Sequence, residues 1–384
     1  MDKIRLGLIG LGNMGTAHAA NIAGGLSEGI ELSAIADRKV ARQDFVRETY
    51  PNVAVYDEGF ALIEHADVDA VLIAVPHYQH AELAIAALNK GLHVMCEKPA
   101  GVYTLQVRTM NEAAAAHPEL TFGMMFNQRT NCVYRKMREL VTNGELGAIK
   151  RVNWIVTDWF RTQYYYDSGA WRASWAGEGG GVLLNQCPHN LDLLQWICGM
   201  PNRVSAHLHE GKWHDIEVED DVTAYLEFPN GATGVFVTTT GDAPGTNRFE
   251  ITGENGKLVC EDEKLVFYKL SQSVSDFLRT SKKAFDKPSC ELIVPELDGD
   301  NSQHVGVLNA FAAHILRGEP LVADGHEGIN GLMLSNAMHL SSWLQKPVDV
   351  PFDEALYFAE LKKRIATSKP RETQDVVADT RGSY

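Results

Sequence analysis

The stretch Ile4-Arg-Leu-Gly-Leu-Ile-Gly10-Leu-Gly12-Asn13-Met14-Gly15 joins an apolar run to a turn punctuated by glycine. Ile4–Ile9 reads as a strand, and the segment after Gly15 has the composition of a helix reaching about Ala23. Each glycine answers a separate need. Gly10 permits the tight turn, Gly12 lets backbone approach a bound pyrophosphate, and Gly15 lets the helix pack on its strand, so that the helix amino end faces phosphate charge.

The next acid strengthens this reading. Leu32–Ala36 is a second strand ending at Asp37, 22 residues past Gly15, close to the spacing of roughly 20 residues at which a ribose-binding acid is expected. A carboxylate there accepts from the ribose hydroxyls and repels a 2′-phosphate, which favours NAD. Arg38 leaves NADP open, because a guanidinium would hold that phosphate.

The alternation continues. Strands are expected at Val53–Tyr56, Ala70–Val75, His93–Cys96 and Thr121–Met125, with helices over Ala81–Asn89, stopped at Gly91, and Leu105–Ala116. This predicts a doubly wound parallel sheet, a Rossmann domain over 1–126. After Phe126 the pattern changes. A helix over Cys132–Thr142, a strand over Arg151–Asp158 and an aromatic loop from Trp159 to Trp175 precede a helical segment opened by Gly179-Gly-Gly181 and reaching Cys198. Strand patterns at 204–208, 222–228, 234–240, 249–252, 258–260 and 265–268, with Asn230-Gly231 and Asn255-Gly256 as hairpin turns, give way to helices over Val305–Leu316 and Glu327–Trp343. The expectation is an α+β domain over 127–366 with a mostly antiparallel open sheet, then a mobile polar tail over 367–384.

Composition sets outer bounds. The 384 residues are 45% hydrophobic with a net charge of −15. That charge opposes a nucleic-acid surface, which needs a basic footprint. No apolar run approaches the roughly 18 residues of a membrane span, and the start lacks a signal-peptide layout. Six scattered cysteines read as reduced thiols. The chain is expected to be soluble and cytoplasmic. His207, His209 and His214 match no compact zinc spacing, so no metal is assigned, and Glu219-Asp-Asp221 reads as a solvated strand entry.

Lys98, in His93-Val-Met-Cys-Glu97-Lys98-Pro99 at the end of a strand, is the candidate for chemistry. A desolvated lysine has a lowered pKa and serves as a base; still protonated, it steadies a developing alkoxide. Pro99 is expected to fix the loop, with a cis peptide bond before it. His189, a residue type whose unperturbed pKa lies near neutrality, is the better candidate for the proton. At helical spacing it shares a face with Asn185 and Asp192, although Pro188 should kink that helix or begin a new one. Tyr164, Tyr165, Tyr166, Trp171 and Trp175 offer flat faces suited to sugar rings.

These residues resemble the glucose–fructose oxidoreductase / inositol dehydrogenase (Gfo/Idh/MocA) family. The resemblance rests on Gly10–Gly15, Val75-Pro76-His77 with His80, Glu97-Lys98-Pro99, Trp171-Arg172, and Gly179–Gly181 followed by His189 and Asp192. It implies a cofactor site that includes Val75, Pro76, His77, His80, Glu97, Lys98, Asn127, Trp171 and Arg172. It implies Lys98 beside the nicotinamide, and a substrate site of Lys98, Arg129, Tyr166, Arg172, Asn185 and His189. It further implies homodimers or homotetramers formed through the second sheet, and oxidation of a ring hydroxyl of a sugar, glycoside or cyclitol. NAD-assisted glycoside cleavage through a transient ketone, and a non-catalytic sugar sensor, stay open as alternatives. One position departs from the family: Asn185 stands where an aspartate is usual.

Overall fold

The computed structural model describes residues 3–369; most of the polar tail expected at 367–384 lies outside them. The first sheet contains β1 (Ile4–Ile9), β2 (Ile30–Ala36), β3 (Ala54–Tyr56), β4 (Ala70–Ile73), β5 (His93–Cys96) and β6 (Phe122–Met124), in the order β3-β2-β1-β4-β5-β6. Every pairing is parallel. Strand order reverses between β1 and β4, and a ligand crevice opens at the carboxyl ends of such a switch point. The strands are apolar on both faces because helices cover both.

The second sheet contains β7 (Ile149–Val156), β8 (Arg203–Glu210), β9 (Glu219–Glu227), β10 (Thr233–Thr239), β11 (Asn247–Gly253), β12 (Gly256–Glu261), β13 (Lys264–Leu270), β14 (Cys290–Ile293) and β15 (Val348–Asp349). It is antiparallel except where β7 runs parallel to β10. Its inner face packs Trp154 on Phe249, rings 4.1 Å apart and nearly coplanar. The fold is α/β, with a Rossmann half followed by a mostly antiparallel half.

Three features differ from the sequence reading. The helix expected from Gly179 begins only at Pro188. Instead, the carboxylate of Glu219 accepts from the N–H groups of Gly181 (2.9 Å) and Leu183 (3.0 Å) and fixes 179–187 as successive turns. Gly181 has room for no side chain, since a Cβ would overlap the Glu219 carbonyl oxygen. Secondly, the acidic run is no solvated strand entry. Glu219 and Asp220 are fully buried, and Asp220 accepts from the backbone N–H groups of Lys212, Trp213 and His214. Buried carboxylates persist when donors satisfy them in this way. His214 lies between Asp220 and the Arg161 carbonyl, while His207 and His209 are exposed.

Thirdly, the helix Gln303–Arg317 does not stay with the second sheet that precedes it. Its Val307, Leu308, Phe311 and Ala312 share a core with Leu6, Leu8, Ile35 and Leu72 of the first sheet. It covers one face together with Ala19, Ile22 and Val46. Among the described residues no helix is long and apolar enough to cross a membrane. If this helix completes the nucleotide-binding core, Phe311→Ala costs about 3–5 kcal/mol of stability and weakens NADH binding, read by denaturant unfolding and fluorescence titration. Loss of stability in the second half alone, with NADH affinity unchanged, contradicts this packing account.

Candidate active site

A cleft of about 730 Å³ opens along the carboxyl edge of the first sheet. The first turn contributes Gly10, Gly12, Asn13 and Met14, and the end of β2 contributes Asp37 and Arg38. Val75, Pro76 and His77 follow β4, and Glu97 and Lys98 follow β5. Trp171, Arg172 and Asn185 close the cleft from the second half.

The glycines behave as their spacing predicts. Gly10 has φ +96°, in the left-handed region, and a Cβ there would overlap Ala74 O. A Cβ at Gly15 would overlap Gly10 O, so this glycine lies beneath the turn rather than in the cleft. At Gly12 a Cβ would meet no protein atom within 4 Å, which leaves open approach to backbone facing the cleft. Asp37 accepts from the N–H groups of Leu11 (2.8 Å) and Lys39 (2.9 Å), fixing its carboxylate at the cleft mouth. An open glycine turn at a helix amino end, followed by an acid at the end of the next strand, fits a dinucleotide.

At the inner end of the cleft, Glu97 is buried, and its Oε1 lies 2.7 Å from His18 Nε2. Burial pushes its pKa up, but the His18 hydrogen bond and neighbouring cations outweigh that and hold it at about 2. The Lys98–Pro99 peptide is cis, as the sequence reading expects. Lys98 Nζ donates to Asn185 O at 3.0 Å, its one side-chain hydrogen bond among the described residues. Burial lowers the Lys98 pKa; Glu97 raises it, and the Arg172 and Arg161 cations lower it further.

His189 takes the second position of the helix Pro188–Cys198. Its Nδ1 is buried and has no hydrogen-bond partner among the described residues. Burial, then the Lys98 charge, push its pKa well below the ordinary histidine value. The two side chains therefore feel each other, although His189 does not itself line the cleft.

Other expected residues lie elsewhere. Arg129 is 3% exposed, with Nε and Nη2 on Asp192 at 2.8 and 2.7 Å and Nη1 on Glu327 at 2.7 Å. It ties elements together and does not line the cleft, and Asp192 does not join a polar stripe facing the cleft. Tyr166 is buried with its hydroxyl on Thr240 Oγ1 (2.8 Å). It is the preceding Tyr165 whose hydroxyl meets the cleft residues, because adjacent positions of the short helix Gln163–Asp167 point apart. Asn127 is buried and donates to Gln303 Oε1 at 2.5 Å. His80 spans two loops behind the cleft, with Nδ1 2.7 Å from Pro99 O and Nε2 2.8 Å from Val75 O.

Sequence reasoning passed over one group entirely. Glu178, 1% exposed, accepts from Ala173 N at 2.6 Å and from the Asn185 side chain. Tyr165 OH receives Arg172 Nη1 at 2.7 Å and Gln186 Nε2 at 3.1 Å, and lies 3.3 Å from Asn185 Oδ1. The available signal was weak, an acid set inside a glycine run, Gly177-Glu178-Gly179, which reads equally as a solvated loop.

Known proteins resemble this chain over both halves. A family model described as an oxidoreductase family with an NAD-binding Rossmann fold matches residues 4–123, and the GFO/IDH/MocA C-terminal domain model matches residues 134–259. The myo-inositol 2-dehydrogenase of Thermotoga maritima is 27% identical over 367 residues, covering 92% of this chain and 100% of that protein. The D-glucoside 3-dehydrogenase of Escherichia coli is 25% identical over 360 residues, covering 89% and 96%. Among solved structures, the WlbA dehydrogenase of Chromobacterium violaceum in complex with NADH and UDP-GlcNAcA matches with a TM-score of 0.78 at 25% identity, over 92% of this chain and 97% of that one. The two family models together span both halves of the chain and include the glycine turn, Lys98 and His189, so this protein belongs to the Gfo/Idh/MocA family of NAD-dependent oxidoreductases.

Proposed function

We propose that this protein oxidises a secondary ring hydroxyl of a sugar, glycoside or cyclitol to a ketone, with Lys98 as the group that takes the hydroxyl proton. The observation that carries this reading is a half-buried amine at the inner end of the nucleotide cleft, its basicity lowered by desolvation. When bound, NAD supplies the hydride acceptor. Gly10, Gly12 and Asn13 would hold its pyrophosphate, and Asp37 its adenosine ribose. The names of the relatives, an inositol and a glucoside dehydrogenase, support a polyhydroxylated ring as the substrate class.

A lysine whose pKa is lowered is neutral in a larger fraction of molecules near neutral pH. One N–H of Lys98 is spent on Asn185 O, which fixes the amine while its lone pair stays available. When a proton arrives, the ammonium form is steadied by the Glu97 carboxylate, whose charge raises the Lys98 pKa. We assign His189 the adjacent role: a neutral imidazole with an unpartnered Nδ1, receiving or orienting that proton. Arg172, whose guanidinium lies 4.4 Å from the Tyr165 ring centroid and 4.5 Å from that of Trp171, presents donors to ring hydroxyls or cofactor. We further propose a cytoplasmic homo-oligomer joined through the second sheet, where Ile155 and Tyr225 are 41% and 42% exposed. The unpaired cysteines suit a reducing compartment.

Incubation with NAD and a panel containing myo-inositol and methyl glucosides should raise NADH absorbance with at least one of them. No NADH from any polyol, with NAD demonstrably bound, would sink the reading. Lys98→Ala should lower kcat by about 10²-fold or more and leave NADH affinity within about twofold; unchanged kcat removes the assigned role.

The pH dependence has a defined sign. The active form is the unprotonated amine, so kcat rises with pH and falls as pH drops through the lowered Lys98 pKa. Its midpoint should lie below the free-lysine value of about 10.4. A profile flat from acid to alkaline pH argues against a titrating base.

A further inference from the structure

Residue 185 touches the proposed base directly: its carbonyl oxygen accepts from Lys98 Nζ at 3.0 Å. Its side chain contacts Glu178, a carboxylate 1% exposed. A carboxylate is an acceptor on both oxygens, so it fixes the neighbouring amide with the NH₂ toward itself. Glu178 thereby sets which end of Asn185 is which. The nitrogen is consumed, and Oδ1 remains as the acceptor, 3.3 Å from Tyr165 OH on a residue that lines the cleft.

Glu178 holds the opposite wall as well. Its Oε2 accepts from Ala173 N at 2.6 Å. Ala173 has φ +61°, a left-handed conformation that costs a non-glycine residue stability and persists only when its surroundings hold it. The neighbouring Arg172 guanidinium lies 3.9 Å from Glu178 Oε1, and the Glu178 carbonyl oxygen is 3.2 Å from His77 Nδ1. Three walls of the inner cleft, at His77, Arg172 and Asn185, converge on this residue.

We propose that Glu178 is a positioning residue, paired with Asn185, that keeps position 185 a neutral acceptor and so leaves the Lys98 amine without an anionic partner from that side. The alternatives fail on hydrogen-bond grounds. Asn185→Asp would put two carboxylates in contact, and like charges so close cannot both ionise. Glu178→Gln would turn an NH₂ against the Ala173 N–H or the Asn185 NH₂, and a flip of Asn185 would only pass the conflict on, turning its NH₂ to Tyr165 OH, which already accepts from Arg172 and Gln186. The double exchange satisfies every group: the new amide at position 178 accepts from the Ala173 N–H and donates to the new carboxylate at position 185. It also moves the negative charge from position 178 to residue 185, whose backbone carbonyl holds the Lys98 amine.

The groups facing Glu178 are Arg172, Asn185, Glu219 and the Ala173 N–H, with the Tyr166 ring also in its field. Those facing Lys98 are Glu97, Arg172, Arg161 and Cys187, together with His77, His80, His189 and His304, each of which feels the Lys98 charge. The proposal rests on the reading of Lys98 as the base, so its test avoids turnover.

The test compares the wild type with Glu178→Gln, Asn185→Asp and the double variant, using two readouts. The first is melting temperature against pH. The carboxylate pair of Asn185→Asp binds a proton more tightly folded than unfolded, so its stability is present at acid pH and lost as pH rises. Its deficit relative to wild type should widen toward alkaline pH. Glu178→Gln should be less stable than wild type across the range. The double variant should be more stable than either single variant and lose the pH-dependent deficit.

The second readout is the pH at which Lys98 becomes reactive to acetic anhydride, followed by mass spectrometry. Acid at position 185 should raise that midpoint by about one unit, a tenfold smaller reactive fraction at fixed pH, and should do so in the double variant although its stability has recovered. A purely structural role for Glu178 would restore stability without moving Lys98. The proposal is overturned if the double variant is no more stable than the weaker single variant, or if Lys98 titrates alike in all four proteins. Either failure leaves the dehydrogenase reading to the polyol panel.

Discussion

A lysine amine half-buried at the edge of a parallel sheet, tied by one hydrogen bond to a backbone carbonyl from the other half of the chain, is the constraint around which this molecule is arranged. Lys98 follows β5, and Asn185 lies 87 positions later in a segment of tight turns. Burying a charge is costly unless partners are at hand, and in practice the group becomes easier to neutralise. The fold meets this by keeping Glu97 next door, itself bonded to His18, while Arg172 and Arg161 act in the opposite direction. Desolvation and the two arginines thus lower the pKa of the amine while Glu97 opposes them.

Buried acids do much of the scaffolding. Glu219 shapes the turns that carry Asn185, Asp220 gathers the loop 212–214, and Glu178 joins the turns to the Trp171–Ala173 loop. Each carboxylate takes backbone N–H groups that have no partner in regular structure, so irregular chain is fixed without helix or strand. The pair Arg129–Asp192 performs a similar service between the helix Pro188–Cys198 and Glu327 at the head of the helix Gly328–Leu344. Such segments can hold a side chain near the sheet edge at positions a continuous helix from Gly179 would not reach.

The Rossmann half was legible because its signals are local. Strand periodicity, glycine spacing and the acid at Asp37 sit within a few tens of residues of one another and need no knowledge of the rest. The expected site residues on that half, from Gly10 to Lys98, line one cleft except Gly15, beneath the turn, and His80, behind the cleft. The second half was harder for reasons that can be named. The apolar spacing of Leu183, Leu184, Cys187 and Leu191 is helical, yet a carboxylate 38 residues beyond Gly181 captures the backbone first. Tyr165 and Tyr166 are identical side by side in sequence, and only the orientation of a five-residue helix decides which meets Arg172. Arg129 looks like a substrate donor until its acids, 63 and 198 residues away, are seen to occupy it. The helix Gln303–Arg317 is amphipathic, but its pattern does not say which sheet it covers.

The most direct measurement is a crystal structure of the protein with NADH and a polyol that it turns over. The account predicts a ring hydroxyl at about 3 Å from Lys98 Nζ, with the hydrogen on that carbon facing the nicotinamide and Asn185 keeping its amide nitrogen on Glu178. A polyol seated in the cleft with Lys98 turned away, and its reactive hydroxyl on some other side chain, would contradict it.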